Sequence, residues 1–174
     1  MRSRHSAGFT ILELMITVAV LSILLGIGVP GFTGLIRNNR IATQTNNLIG
    51  ALNYARAETA VRGQPVTLCA ANADRSACSG NNNWTNGWII FTDRNGNVGM
   101  LDGADRLLQA SDEPVPGFAV GATGAFVRFG STFALTTAET FTITPTLASY
   151  CVTTGARRIE MGATGRVRSS KVAC

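Results

Sequence analysis

One apolar stretch near the N-terminus limits the possible folds more than any other feature of the sequence. It runs from Phe9 to Val29 and contains a single charged side chain, Glu13. As a helix with a rise of ~1.5 Å per residue it would be about 31 Å long, enough to cross the hydrocarbon core of a membrane. Arg2 and Arg4 precede it and keep the first residues in the cytoplasm by the positive-inside rule. We therefore predict one transmembrane segment at 9–29 and a body outside the cytoplasm.

Glu13 needs an explanation, because an acidic side chain within a membrane helix costs about 2.5–3.5 kcal/mol on insertion scales. A cut between Gly8 and Phe9 would supply a partner. The new α-amino group would stand four residues before Glu13, within helical reach in the same chain or in a neighbouring one. No small-residue cleavage site follows the apolar stretch, so we expect the helix itself to be retained.

The string GFTILE at 8–13 resembles the processing site of type IV pilins and pseudopilins. The resemblance implies that a prepilin peptidase removes a leader at 1–8 after Gly8 and that Phe9 is N-methylated. It also implies that Glu13 contacts the N-terminus of a neighbouring pilin subunit during assembly. The chain would first be a single-pass inner-membrane protein with a periplasmic body and then part of a pilus at the cell surface.

The helical pattern continues past the membrane segment to about residue 62. Pro30 among several glycines should kink the helix or melt a turn, which predicts a flexible joint. Beyond it, apolar or small residues recur at spacings of three and four, which indicates a helix face packed on a globular body; they are Ile41, Thr45, Leu48, Leu52 and Ala55. We expect one helical element over 9–62 and a β domain over 63–174.

The second part of the chain contains short β-like runs separated by turn residues, including PVTLCA, GWIIFTD, AFVRFG, ETFTIT, SYCVTT and RRIEMG. This pattern predicts an α+β fold in which a long N-terminal helix packs on an antiparallel, sandwich-like β domain. The segment GWIIFTDRNGN and the following LDGADRLL also resemble the GspH/FimT branch of pseudopilins and minor pilins.

Four cysteines suit an oxidising compartment and allow three disulfide pairings. We favour Cys69–Cys78 and Cys151–Cys174, because each closes a short or terminal loop. The CxxC spacing of zinc and redox sites is absent, so we expect no metal and no cofactor. The only histidine is His5, and nothing in the sequence assembles a nucleophile with a base, so we expect no enzymatic activity.

The last thirty residues carry five basic side chains and one acidic side chain, Glu160. Arg166 and Arg168 are two residues apart. On an extended strand they would point to the same face with their Cα atoms ~6.6 Å apart, which is comparable to the distance between successive phosphates of a nucleic acid strand. Guanidinium groups suit phosphate oxygens. The opposing interpretation is a solvated basic edge strand that guards against aggregation. The five basic residues are Arg157, Arg158, Arg166, Arg168 and Lys171.

Gly165-Arg166-Val167-Arg168 matches the GRxR motif by which FimT-type minor pilins of naturally transformable bacteria bind DNA during uptake. The resemblance implies that Gly165, Arg166 and Arg168 form the centre of a DNA site. Arg157, Arg158 and Lys171 are added from charge and proximity. We expect a Cys151–Cys174 disulfide to hold this segment as a loop, which would lower the entropy lost on binding.

Two other segments have competing interpretations. The sequence that starts at Asp93 is superficially similar to a calcium loop, but Val98 and Ala104 occupy the positions where an EF-hand needs Gly and Glu, so a polar turn is favoured. Trp84 and Trp88 could stack on bases; Trp88 is assigned to the core and Trp84 is left undecided. Two other functions remain open: a type II secretion pseudopilin that contacts secreted proteins, and a structural pilin that primes assembly without a ligand.

Overall fold

The computed structural model describes residues 9–94, 97–112, 115–130, 138–147, 151 and 155–174. The contacts between residues divide the chain into two compact units, Met1–Asn39 and Arg40–Cys174. The first unit consists of the first half of the helix α1, and the second contains the rest of α1 and both β-sheets.

Helix α1 spans Ile11–Arg62. Thr10 caps its N-terminus: the backbone N–H of Glu13 donates to the Thr10 hydroxyl at 3.2 Å, which satisfies a donor that has no partner inside the helix. The helix ends at Arg62, and the φ of +62° at the following Gly63 is the left-handed conformation that commonly terminates helices. Its N-terminal half is apolar and long enough to cross a membrane.

The helix continues without interruption through Pro30, so the predicted loss of a turn there is wrong. A proline removes a single N–H donor, and the hydrogen bonds of the adjacent turns keep the backbone helical.

The predicted buried face of the second half of α1 is confirmed. Ile41, Thr45, Leu48, Leu52 and Ala55 are all buried. The four apolar residues of this set pack in a hydrophobic core that also contains residues of both sheets, including Leu68 and Phe141. This packing fixes the second half of α1 to the β-domain.

Two antiparallel four-stranded sheets form the rest of the second unit. The first has the strand order β3-β2-β1-β5 and the second the order β4-β6-β7-β8, which confirms the α+β fold with a long N-terminal helix on antiparallel sheets. The strands of the first sheet are β1 (Val66–Ala70), β2 (Trp88–Thr92), β3 (Arg106–Ala110) and β5 (Phe126–Phe129). Those of the second are β4 (Phe118–Ala122), β6 (Glu139–Pro145), β7 (Ala156–Met161) and β8 (Val167–Val172).

Strand β8 corrects one sequence expectation. The C-terminal basic segment forms an edge strand paired with β7, where a loop was expected. Its sequence, VRSSKV, has little apolar alternation, so its extended form depends on pairing with β7. Most of the predicted strand SYCVTT lies outside the described residues, and Cys151 is not in a strand.

The favoured disulfide pairing is present in the structure. Cys69 and Cys78 are bonded with their Cα atoms 5.7 Å apart, and Cys151 is bonded to Cys174 across a separation of 23 residues. The first disulfide fixes the loop that follows β1, and the second ties the end of β8 to the segment that precedes β7.

Asp93 directly follows β2 and is fully buried. Its Oδ2 atom accepts a hydrogen bond from the Thr67 hydroxyl at 2.7 Å and one from the Gly99 backbone N–H at 3.1 Å. Arg128 Nε lies 3.2 Å from the same oxygen. The side chain that would be the first ligand of a calcium loop is thus held by the half-buried Arg128, which gives Asp93 a structural role in this fold.

Candidate nucleic-acid interface

The hairpin between β7 and β8 carries the GRxR segment. The Gly165 N–H donates to the Gly162 carbonyl at 2.8 Å, and the Gly162 N–H donates to the Arg166 carbonyl at 3.2 Å. Gly165 has a φ of +74°. A tight turn followed by a glycine in the left-handed region is a common hairpin connection, in which the glycine forms a bulge. The glycine of the motif is therefore a requirement of the turn.

Arg56 of helix α1 lies over this turn. Its Nη1 atom donates to the Gly165 carbonyl at 3.4 Å, and a Cβ atom on residue 165 would come within 3.2 Å of Arg56 Nε. Gly165 is buried as a result, so it is not an exposed contact surface of its own. Arg56 and Gly165 are 109 residues apart in the sequence, and no local pattern could have linked them.

Arg166 and Arg168 are both exposed, and neither forms an ion pair with any residue that the structure describes. Arg166 lies in the turn and Arg168 at the second position of β8. They line one open cleft at the end of the second sheet where β6 begins, β7 ends and β8 begins. The structure thus brings together the two arginines that the sequence singled out.

The cleft has a volume of about 530 Å³ and is mixed in charge. Two carboxylates, Glu139 and Glu160, line it together with Arg166 and Arg168. Glu139 is buried and accepts a hydrogen bond from the Thr123 hydroxyl. Glu160 is exposed and stands directly opposite Arg168 in the pairing of β7 with β8. The sequence had identified Glu160 only as the acidic residue of a basic tail, and it had not identified Glu139.

The other three basic residues occupy different positions. Arg158 is exposed and shares the outer face of the sheet with Arg168, because it pairs with Ser170 two positions along. Arg157 and Lys171 are paired with each other and point to the opposite face. Arg157 is half-buried and donates from Nη1 to the Ala156 carbonyl at 3.3 Å. The five basic side chains therefore do not form one continuous surface.

Both tryptophans are buried: Trp84 is completely buried, and 5% of Trp88 is exposed. Trp84 Nε1 donates to the Gly124 carbonyl at 3.0 Å, and its ring packs edge-on against Phe141 with centroids 4.9 Å apart. The assignment of Trp88 to the core is confirmed, and Trp84 joins it there. Neither ring is accessible for stacking on a base.

At the other end of the chain, Gly8 lies outside the described residues. Phe9 is 87% exposed, and Glu13 is exposed in the first turn of α1. The exposure of Phe9 and Glu13 is compatible with contacts to a neighbouring helix. The N-methylation of Phe9 and the contact of Glu13 with the N-terminus of another subunit remain predictions.

Comparison with known proteins agrees with the fold. A family model described as type II transport protein GspH matches residues 44–165, and one for the prokaryotic N-terminal methylation motif matches residues 3–29. No curated protein matches the chain in sequence.

Three solved structures are similar to the chain. Two are crystal structures of the type IV minor pilin FimU of Pseudomonas aeruginosa in different space groups. The first is 18% identical, with a TM-score of 0.57 over 76% of this chain and 90% of that one. The second is 19% identical, with a TM-score of 0.54 over 74% and 91%. The third is the minor pseudopilin EpsH from the type 2 secretion system of Vibrio cholerae, at 11% identity and a TM-score of 0.49 over 76% and 97%.

At these identities the FimU structures support the fold and nothing finer. The GspH model, by contrast, covers well over half of the sequence, and the methylation motif covers the apolar N-terminus. The chain therefore belongs to the GspH family of type IV minor pilins and pseudopilins.

Proposed function

We propose that this chain is a minor type IV pilin that lies at or near the pilus tip and binds DNA for uptake in natural transformation. Arg166 and Arg168 are the principal contacts, and they bind backbone phosphates. The observation that carries the proposal is that both guanidinium groups are exposed at one cleft and form no ion pair with any described residue. The protein acts by binding and assembly and catalyses no reaction.

The rigidity of the arginine-bearing hairpin supports this proposal. Strand β8 is paired along its length with β7, Arg56 bonds the turn, and a disulfide ties Cys174 to Cys151. Side chains on an ordered backbone lose less entropy on binding than those on a mobile tail. Arg56 is also exposed beside the turn and adds a third positive charge to the site.

Phosphate binding by arginine has two measurable consequences. Affinity falls steeply with salt, because each phosphate contact releases condensed counterions. Sequence preference is weak, because phosphate contacts carry no base information. With two or three phosphate contacts we expect a slope of log K against log salt of roughly −2 to −3 on duplex DNA.

The first experiment measures DNA binding by the full chain in non-ionic detergent, with wild type and the double variant Arg166→Glu/Arg168→Glu. We expect the wild type to retard a short duplex in a gel-shift assay and the double variant to lose this binding. A DNA titration at two salt concentrations gives the slope.

A matched control is the double variant Arg94→Glu/Arg106→Glu. It changes the net charge by the same amount at exposed positions near the edge of the first sheet. We expect it to keep most of the DNA affinity. Equal binding by wild type and by Arg166→Glu/Arg168→Glu contradicts the proposal.

A type II secretion pseudopilin is the second candidate, and the observation that favours it is the GspH model over residues 44–165. In that role the body contacts secreted proteins or other minor subunits. Deletion of the gene would then stop the export of secreted proteins. Loss of pili without any DNA affinity would instead indicate a purely structural subunit that primes assembly.

We also propose the maturation steps for this chain. A prepilin peptidase cleaves after Gly8, Phe9 is N-methylated, and Glu13 contacts the N-terminus of another pilin subunit. Before assembly the helix anchors the protein in the inner membrane with its β-domain in the periplasm. The apolar first half of α1 and the methylation motif at 3–29 support this order of events.

A further inference from the structure

The cleft that Arg166 and Arg168 line also contains a carboxylate, Glu160, which phosphate binding does not explain. An inference about this cleft rests on the proposed function above, because both concern the same DNA ligand. We propose that the cleft accepts an unpaired base bearing an exocyclic amino group, with Glu160 as the hydrogen-bond acceptor and with Arg166 and Arg168 on the flanking phosphates. The site would then prefer single-stranded or frayed DNA that contains cytosine over DNA that contains only thymine.

The first step is the position of Glu160. It is the direct cross-strand partner of Arg168, and such pairs have Cβ atoms about 4.5–5.5 Å apart on the same face. Yet the two side chains form no ion pair in the structure, and Glu160 makes no hydrogen bond to any of the described residues. Its carboxylate is therefore free to accept a donor from a ligand in the cleft.

The second step is electrostatic. A carboxylate that lines a cleft with two phosphate-binding arginines repels phosphate oxygens. A nucleic acid can compensate for this repulsion by presenting an N–H donor to the carboxylate. Cytosine presents its N4 amino group, and carboxylates are known acceptors for that group. Thymine presents the O4 carbonyl in the same place, which a carboxylate repels. The one donor on that edge of thymine, N3–H, lies between two carbonyl oxygens, so a carboxylate that approaches it is repelled from both sides.

The third step is shape. At about 530 Å³ the cleft falls within the size range of small-ligand sites. In a duplex the Watson–Crick edge of cytosine is already paired, whereas an unpaired base can enter a recess and offer that edge. The described residues that line the cleft include no aromatic ring, so the faces of the base would rest on the guanidinium planes, which stack on bases.

The test compares two single-stranded oligonucleotides of equal length, oligo(dC) and oligo(dT), with a duplex. The full chain in detergent is titrated at neutral pH and at one fixed salt concentration. We expect oligo(dC) to bind about threefold to tenfold more tightly than oligo(dT), as one charge-assisted hydrogen bond allows. We also expect it to bind more tightly than the duplex.

Glu160→Gln provides the decisive variant. The amide removes the negative charge while it keeps the size of the side chain. We expect it to raise the affinity for oligo(dT) and to abolish the preference for oligo(dC). Asp112→Asn removes one negative charge at a position outside this cleft, and we expect the preference to persist there. Circular dichroism checks that each variant is folded.

The outcomes separate the two proposals. If no DNA of any kind binds, the proposed function and this inference both fail. If DNA binds but oligo(dC) and oligo(dT) are equal, and Glu160→Gln raises both affinities equally, the carboxylate only repels DNA. A preference for oligo(dC) that survives in Glu160→Gln means that another group reads the base. Each of these last two results overturns the inference and leaves the proposed function standing.

Discussion

Gly165 shows how one buried residue can determine the geometry of the proposed DNA site. Its positive φ allows the turn between β7 and β8, and the missing Cβ leaves room for Arg56. The Arg56 bond to its carbonyl then fixes the turn against the helix. The directions of Arg166 and Arg168 follow from this arrangement, since they are the first and third residues after the glycine.

A comparison of two glycines in the same turn tests this interpretation. Gly165→Ala places a Cβ in a left-handed conformation and against Arg56, so we expect a loss of about 1–2 kcal/mol in the free energy of unfolding. We also expect weaker DNA binding. The measurement is urea denaturation followed by circular dichroism, together with a gel-shift assay.

Gly162→Ala is the control, because a Cβ at residue 162 meets nothing within 4 Å and its φ is not positive. We expect its stability to match the wild type. Equal destabilisation by both substitutions would mean that the turn does not depend on the special conformation of Gly165.

The sequence was informative about the identity of the site residues and uninformative about their surroundings. Arg166 and Arg168 could be found because they are two apart in a recognisable motif. Arg56 could not, because its contact with Gly165 joins residues that only the packing of α1 on the β-domain brings together. The direction of Arg157, away from Arg168, depends on the register of β7 and β8, which the sequence does not specify.

At the level of elements, β8 is both an edge strand and the carrier of the proposed site. The sequence had offered a basic edge strand and a DNA-binding segment as opposing interpretations of these residues. In the structure these residues form an edge strand, and this position does not exclude that they bind DNA. Charged side chains on an edge strand discourage pairing with other sheets, and the same exposure makes them available to a polyanion.

The two disulfides are expected to differ in their effect on binding. Replacing Cys151 and Cys174 by Ser removes a cross-link over a 23-residue separation, which should cost about 3 kcal/mol of stability. It also frees the end of β8, so we expect weaker DNA binding and a larger entropy loss on binding. Isothermal titration calorimetry measures both quantities.

Replacing Cys69 and Cys78 by Ser is the control. That disulfide closes a separation of nine residues beside the first sheet, and its loss should lower stability by a similar amount. DNA affinity should remain unchanged in this variant as long as it is folded. If both double variants bind like the wild type, the disulfide at the C-terminus does not pre-order the site.

On the scale of the whole molecule, the fold was more predictable than the site. The stripe from Ile41 to Ala55, the strands that follow it and the end of the helix before Gly63 are encoded in local patterns of apolar and turn residues. Two features are not encoded in such local patterns: the helical backbone at Pro30 and the strand β8. In both cases hydrogen bonds to neighbouring turns or strands outweigh a weak local preference.

The division at Asn39 predicts that the second unit folds without the first. A chain that starts at Arg40 keeps the buried face of α1, both sheets and both disulfides. We expect it to stay in solution without detergent, to unfold cooperatively and to bind DNA with the same affinity as the full chain. Size-exclusion chromatography, thermal denaturation and a DNA titration check these three statements.

Aggregation of this shortened chain, or loss of its DNA affinity, would mean that residues before Arg40 take part in folding or binding. The full chain in detergent is the reference for both measurements.

The burial of both tryptophans has a practical consequence. Trp84 and Trp88 are the only indole fluorophores of the chain, and both are enclosed by the core while the cleft lining lacks an aromatic ring among its described residues. Their emission should shift to longer wavelength when the core opens to water and stay constant when a polynucleotide occupies the arginines. Intrinsic fluorescence can therefore report the integrity of any variant in the same cuvette in which a labelled oligonucleotide reports its occupancy.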